Sequence, residues 1–266
     1  MANVLDAVQD MLRPHPKSLS EMSPVERTRI AFAIKSIPKA REIAKRGLTL
    51  VAFHLKASRV QPTPPGVANA LVDVSALLHK HFTARTEAQL PGDQSIPWLP
   101  AVKTRLLRAA DELAGRELEP NFQPASAYPA DYSRAAYTFA VPGAAGDSDW
   151  DLERAIFFND PMDRSPFVEN RGTTGATILH ECWHLANPPE EQLSPTNEPY
   201  AGDAGWQRLN GETRRKSPAA YEYFCFEALF GTEALKWYRF EDPGHDFDRP
   251  PFVERDGTIR GSGSKI

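Results

Sequence analysis

The chain is short of cysteine and has no long apolar run, and these shortages exclude several classes of protein. It has two cysteines, Cys182 and Cys225, in 266 residues, too few for the disulfide scaffold of a small secreted domain. No apolar stretch approaches the roughly 20 residues that a membrane-spanning helix needs. We therefore expect neither a disulfide framework nor a membrane segment.

An excess of basic residues is also missing. The formal net charge is −4 and the pI is about 6.0, so the composition offers no basic patch for nucleic acid. Residues 1–17 lack the cationic start and unbroken apolar stretch of a signal peptide. We expect no nucleic-acid or membrane partner, and a cytoplasmic location or export by a route that does not use such a signal.

Apolar residues make up 41% of the chain, enough for one substantial core. We predict a predominantly helical α+β fold with a small sheet, divided into an N-terminal helical extension at 1–64, a catalytic domain at 65–246 and a loose C-terminal tail at 247–266. Capping signals, a proline and apolar residues at helical spacing predict early helices at 23–36, 38–56, 67–82 and 98–118. We expect their histidines, His54, His79 and His81, to lie at the surface.

A metal-binding pattern lies in the segment 173–187, which contains His180, Glu181 and His184 in the order HExxH. On a helix, two histidines four residues apart share one face and can reach one ion. Glu181 is offset by about 100° and lies where a general base belongs. Pro188-Pro189 ends the helix. We predict one Zn²⁺ per chain, with Cys182 on the apolar side as a buried hydrophobic residue.

A catalytic zinc needs a third protein ligand, and the sequence leaves several possibilities. The metzincin pattern is excluded, because it would require glycine at 187 and histidine at 190, where this chain has Asn187 and Glu190. A glutamate of the later helix, Glu222 or Glu227, would give a gluzincin site. The loop carboxylate Glu198 is the third possibility.

Two strands are predicted before this helix, at 136–141 and 154–158, after a loop at 119–131. Zinc peptidases of many kinds hold the substrate backbone along an edge strand before the active-site helix, so the strand RAIFF at 154–158 is our candidate. The alternative is a plain sheet strand. After the helix, Ser217-Pro218 and Gly231 delimit a further helix whose aromatic residues predict burial on nearly all sides.

Three segments together resemble a known family. HECWH at 180–184 is followed by PTNEPYAG at 195–202, which aligns without gaps with GTxDxxYG, and by SPAAYEYFCF at 217–226, which is similar to NADxYxYFA. These are the motifs of the deuterolysin and peptidyl-lysine metalloendopeptidase group, the aspzincins. The resemblance covers about 65–235, and its last third is the specific part. It implies a zincin-like fold.

The resemblance also implies roles for residues of the loop. Glu198 stands where the family has its third zinc ligand, an aspartate. Glu222 competes for that role, but its helix is sheathed in aromatic residues, so we expect it to brace the ring of His180 or His184 instead. The family's tyrosine falls on Ala201, and the neighbouring Tyr200 is the candidate donor to the oxyanion. The chain departs from the family pattern in three ways: Glu198 replaces the aspartate, Pro195 replaces the glycine, and the loop between His184 and Glu198 is longer. These departures do not support specificity for lysine.

We therefore predict a zinc metalloendopeptidase that acts on a peptide or protein, with His180, His184 and Glu198 as ligands and Glu181 as general base. One alternative keeps the site and changes the substrate, giving a zinc-dependent amidase or toxin that acts on cell-wall or other amides. The other is a zinc-stabilised binding module without catalysis, against which the presence of Glu181 argues.

Overall fold

A computed structural model of the chain describes residues 17–60, 62–84, 96–115, 122–124, 136–138, 155–158, 171–193, 199, 204–238, 252–253 and 259–260. The predicted ligand Glu198 and the predicted oxyanion donor Tyr200 lie outside these residues. So does most of the predicted tail at 247–266.

The described part of the chain is mostly helical, with short strands, as the predicted α+β class requires. Its helices are α1 (Pro24–Ala57), α2 (Pro65–Phe82), α3 (Leu99–Ala114), α4 (Arg171–Ala186), α5 (Ala204–Arg208), α6 (Gly211–Arg214), α7 (Pro218–Phe230) and α8 (Thr232–Tyr238), with a 3₁₀ turn at Pro189–Glu191. Its strands are β1 (Phe122–Pro124), β2 (Ala136–Thr138), β3 (Ile156–Phe158), β4 (Phe252–Val253) and β5 (Ile259–Arg260). None of the helices in these ranges is long and apolar enough to cross a membrane.

Helix α1 begins as predicted but does not break at Pro38. The Ser23 hydroxyl accepts from the Glu26 main-chain N–H at 3.2 Å, and the Glu26 carboxylate accepts from the Ser23 N–H at 2.6 Å. The prediction of two helices, 23–36 and 38–56, is wrong, because one helix runs through the proline. An interior proline costs about 3 kcal/mol, and burial of residues on both sides of it, including Ile37 and Ile43, offsets that loss.

The larger sheet has the strand order β1-β3-β2, with β1 parallel and β2 antiparallel to β3. Strand β3 pairs on both sides, so the strand predicted at 154–158 is not an edge strand, and the alternative of a plain sheet strand is confirmed. The predicted loop at 119–131 contains β1, a second correction. Phe122 and Gln123 are buried there, and β1 packs against α1, so tertiary contacts order a segment whose composition favours a loop.

Helix α4 packs against α1, α3 and α7. A single hydrophobic cluster extends from Met22 to Leu235 and includes residues of all four helices. The helix α1, which the predicted division places in an extension, therefore shares its core with α4. Two close helix contacts depend on glycine: a Cβ on Gly175 would lie 2.9 Å from the main-chain nitrogen of Ala40, and one on Gly47 would lie 2.3 Å from Cys225 Sγ.

Helix α7 confirms its prediction. It follows Ser217 and ends at Gly231, whose φ of 89° favours glycine. Every residue from Pro218 to Glu227 is buried. Because this stretch is covered on all sides, its polar groups need partners inside the protein.

Two of the histidines expected at the surface are buried instead. His54 is 1% exposed and His81 is 0% exposed. The imidazole of His54 lies 3.1 Å from the Ser75 hydroxyl, and His81 Nε2 lies 2.6 Å from the Glu227 carboxylate. Partners on neighbouring elements allow both rings to be buried. The cysteines agree with their prediction, since Cys182 and Cys225 are free and buried.

Candidate metal centre

Helix α4 brings His180 and His184 together on one face. Their ring centroids lie 5.0 Å apart. An ion held about 2.0–2.1 Å from an imidazole nitrogen lies roughly 3 Å from the centroid of that ring. Two rings at the observed separation are therefore close enough for one nitrogen of each to reach a shared ion. His180 and Glu181 are each only 3% exposed.

The ring of His180 is held by a carboxylate of α7. Glu222 Oε2 lies 2.9 Å from His180 Nδ1, and both side chains are buried. A carboxylate can only accept, so Nδ1 carries a proton in this contact. In the neutral imidazole the lone pair then lies on Nε2, the nitrogen that would coordinate a metal.

The ring of His184 is held by a neutral amide. Gln192 Oε1 lies 2.8 Å from His184 Nδ1. The Gln192 amide nitrogen donates to the main-chain carbonyl of His184 at 2.8 Å and to that of Asn187. Carbonyl oxygens only accept, so these two contacts fix which end of the amide faces the ring. Nδ1 of His184 therefore donates, and its Nε2 also presents a lone pair.

Ion pairs hold the turn that carries Gln192. Glu191 accepts from Arg105 Nε at 2.9 Å and from Arg108 Nη1 at 3.2 Å, both from α3. The hydrogen bond from Arg105 lowers the pKa of Glu191, and Arg108 adds to this against a smaller opposite effect of burial. The carboxylate thus stays charged at neutral pH and fixes the 3₁₀ turn to α3.

The two glutamates considered for a gluzincin site lie in different surroundings. Glu222 contacts Nδ1 of His180, which is the position of a carboxylate that braces the ring. Glu227 is held elsewhere by His81, Lys80 and Thr232, each at 2.6 Å. The structure therefore does not bring Glu227 to the histidine pair, and this alternative is corrected.

The described part of the chain does not contain a full set of candidate metal ligands. Within those ranges no three histidine, cysteine or acidic side chains form a group that could hold a metal ion. His180 and His184 form a pair, and Glu198, the predicted third ligand, lies outside the described residues. Gln192 belongs to no motif in the sequence. Its position just after Pro188-Pro189, which end the helix, is the one local indication that its side chain could reach the helix end.

No model of a known protein family, no curated protein and no solved structure matches the chain. The aspzincin resemblance therefore remains a prediction from three short motifs. What the site can do chemically follows from the contacts of its own side chains.

Proposed function

We propose that the chain is a zinc-dependent metallopeptidase with a zincin-like site, which hydrolyses bonds in a peptide or protein substrate. One observation carries the proposal: both histidines of the HExxH segment direct Nδ1 at an oxygen acceptor, Glu222 for His180 and Gln192 for His184. Metal-binding histidines commonly donate their second ring N–H to a carboxylate or carbonyl oxygen. Two surface histidines would need neither contact.

His180, His184 and Glu198 would hold one zinc ion per chain. The two histidines are supported by geometry, and Glu198 is supported by the ungapped match of PTNEPYAG at 195–202. Bound zinc supplies a Lewis acid that activates water and polarises the scissile carbonyl.

Glu181 is the proposed general base. It follows His180 on α4 and is 3% exposed, so it acts in a largely water-excluded place. Its carboxylate takes a proton from the attacking water and returns it to the leaving amine. Tyr200, assigned from the resemblance alone, donates to the developing oxyanion.

Strand β2 replaces β3 as the candidate for binding the substrate backbone. It is the antiparallel strand at the end of the order β1-β3-β2, and it lies against α4. Among the described strands β2 pairs with β3 alone, and an edge strand offers main-chain donors and acceptors to an extended peptide. We propose that an extended substrate pairs with the main chain of Ala136–Thr138.

Zinc analysis of the purified chain tests the site. We expect close to one zinc per chain in the wild type and loss of most of it in His180→Ala, in His184→Ala and in the double variant. Full zinc content in the double variant would contradict the assignment. Hydrolysis of an unstructured protein such as casein then distinguishes the alternatives. A peptidase should cleave it, whereas an amidase that acts on other amides and a binding module without catalysis should not.

A further inference from the structure

Gln192 contacts the end of α4 at three points, and these contacts give it two tasks. We propose that Gln192 is a positioning residue for His184: one amide group caps the carbonyl end of the helix and sets which imidazole nitrogen carries the proton. The inference rests on the proposed function in one respect, namely that His184 Nε2 is a zinc ligand.

The two tasks depend on each other through the orientation of the amide. If the amide were rotated by 180°, its oxygen would face the carbonyls of His184 and Asn187, and its NH₂ group would face Nδ1. Two acceptors would then oppose each other at the helix end. Only the observed orientation gives every group a complementary partner. The helix end thereby selects the Nδ1–H form of His184.

The main chain on both sides of Gln192 is anchored. Glu191 binds Arg105 and Arg108 of α3. On the other side, the Leu193 N–H donates to the Lys216 carbonyl at 3.0 Å. With both neighbours held, the Gln192 side chain is presented to the helix end at little further loss of conformational entropy.

His184 has more need of such a contact than His180. His180 is 3% exposed, so packing restricts its ring, whereas His184 is only partly buried. A partly exposed imidazole can rotate or change tautomer more easily than a buried one. The orientation of the His184 ring therefore depends more on its hydrogen bond than that of the His180 ring does. We therefore expect the loss of Gln192 to affect the metal ligand as well as the helix end.

The tautomer of His184 can be measured without zinc or activity. The metal-free full-length protein, labelled with ¹⁵N-histidine, is studied by NMR at a pH where the ring is neutral, and His184→Ala identifies the signals. We expect the proton on Nδ1 in the wild type. In Gln192→Leu, which removes the acceptor at similar size, we expect a shift towards the Nε2–H form that a histidine side chain in water prefers.

Zinc affinity, measured by competition with a chelator, provides the second readout. Gln192→Leu should bind zinc about 10 to 100-fold more weakly. Ser23→Ala is the control for stability, since it removes the cap of α1 without touching α4, and its zinc affinity should match the wild type. An unchanged tautomer in Gln192→Leu, or an unchanged zinc affinity, overturns the proposal.

Gln192→Glu keeps the test decisive if the leucine variant does not fold. The carboxylate still accepts from Nδ1 but cannot donate to the two carbonyls. The variant should lose stability and keep the proton on Nδ1, and a shift to the Nε2–H form overturns the proposal. If wild-type protein binds no zinc, the proposed function fails, while the tautomer measurement still decides the role of Gln192.

Discussion

The carboxylate of Glu222 lies 2.9 Å from Nδ1 of His180, and the two side chains come from different helices and are both buried. This contact separates two roles that a glutamate of α7 could have. A carboxylate at Nδ1 braces the ring, whereas a ligand would lie on the side of Nε2. The contact therefore argues against Glu222 as the third ligand.

Glu198→Ala should weaken zinc binding far more than Glu222→Ala. Removing a brace costs metal affinity roughly 10 to 100-fold, and removing a ligand leaves the ion with two protein donors. Zinc affinity of both variants is measured by chelator competition. Glu227→Gln, which alters a buried glutamate of the same helix away from the histidine pair, is the control and should bind zinc normally. If Glu222→Ala alone empties the site, a gluzincin site replaces the aspzincin assignment.

Glu181→Gln should keep the zinc and lose hydrolysis. The amide is nearly isosteric with the carboxylate but does not accept a proton at neutral pH, so the rate should fall by about 10² to 10⁴-fold. Zinc content and casein hydrolysis are measured on the same preparation. Glu190→Gln makes the same change at an exposed position and should leave both unchanged. Loss of zinc together with activity would indicate a structural role for Glu181.

Gly47→Ala should destabilise the protein although alanine favours helix by about 1 kcal/mol. The new Cβ would lie 2.3 Å from Cys225 Sγ, and overpacking of this kind costs typically about 1–3 kcal/mol. In a Cys225→Ala background the same change should cost much less, because the sulfur is gone. Urea denaturation of the four proteins gives the coupling energy. Additive effects would refute the predicted clash. Gly66→Ala, also in a helix but with open space around its new Cβ, is the matched control and should not destabilise the protein.

Gly175→Ala should destabilise the protein without any such rescue. Its new Cβ would lie 2.9 Å from the Ala40 nitrogen and 3.2 Å from the Lys39 carbonyl carbon. Both are main-chain atoms, so α4 itself must move away from α1. Because α4 carries the histidine pair, we expect zinc affinity to fall along with the urea midpoint. Normal zinc affinity in a destabilised variant would show that the helix can shift without disturbing the site.

Glu227 should make the protein sensitive to acid. Burial raises the pKa of its carboxyl, but hydrogen bonds from His81, Lys80 and Thr232 outweigh burial and bring the pKa from 4.5 to about 2. The folded-state pKa is therefore below the unfolded one. This stabilisation is present above pH 4.5 and is lost as the pH falls towards 2.

The variant Glu227→Gln tests this dependence. It should be less stable than the wild type at pH 7, and the difference should shrink between pH 4.5 and 2. Urea midpoints at several pH values provide the measurement. A difference that stays constant over this range would show that the carboxylate charge is not responsible.

Local features of the chain were predictable from the sequence alone. The capping box at Ser23 and Glu26, the end of α7 at Gly231 and the placing of His180 and His184 on one helical face all depend on residues a few positions apart. Steric preferences and short hydrogen bonds decide such features, and both can be inferred from neighbouring residues. The candidate ligand pair and the proposed base were therefore recognisable without coordinates.

Tertiary contacts decided the rest. Pro38 stays inside one helix, and β3 pairs on both sides, because burial and strand pairing outweigh local preference. His81 is buried beside its partner Glu227, which lies 146 positions away in the chain. No local sequence pattern reveals a partner at that separation. Gln192 is only eight positions from His184, yet its role depends on a turn that α3 anchors. The sequence thus indicated the candidate metal ligands, and packing between distant segments decided which side chains contact their rings.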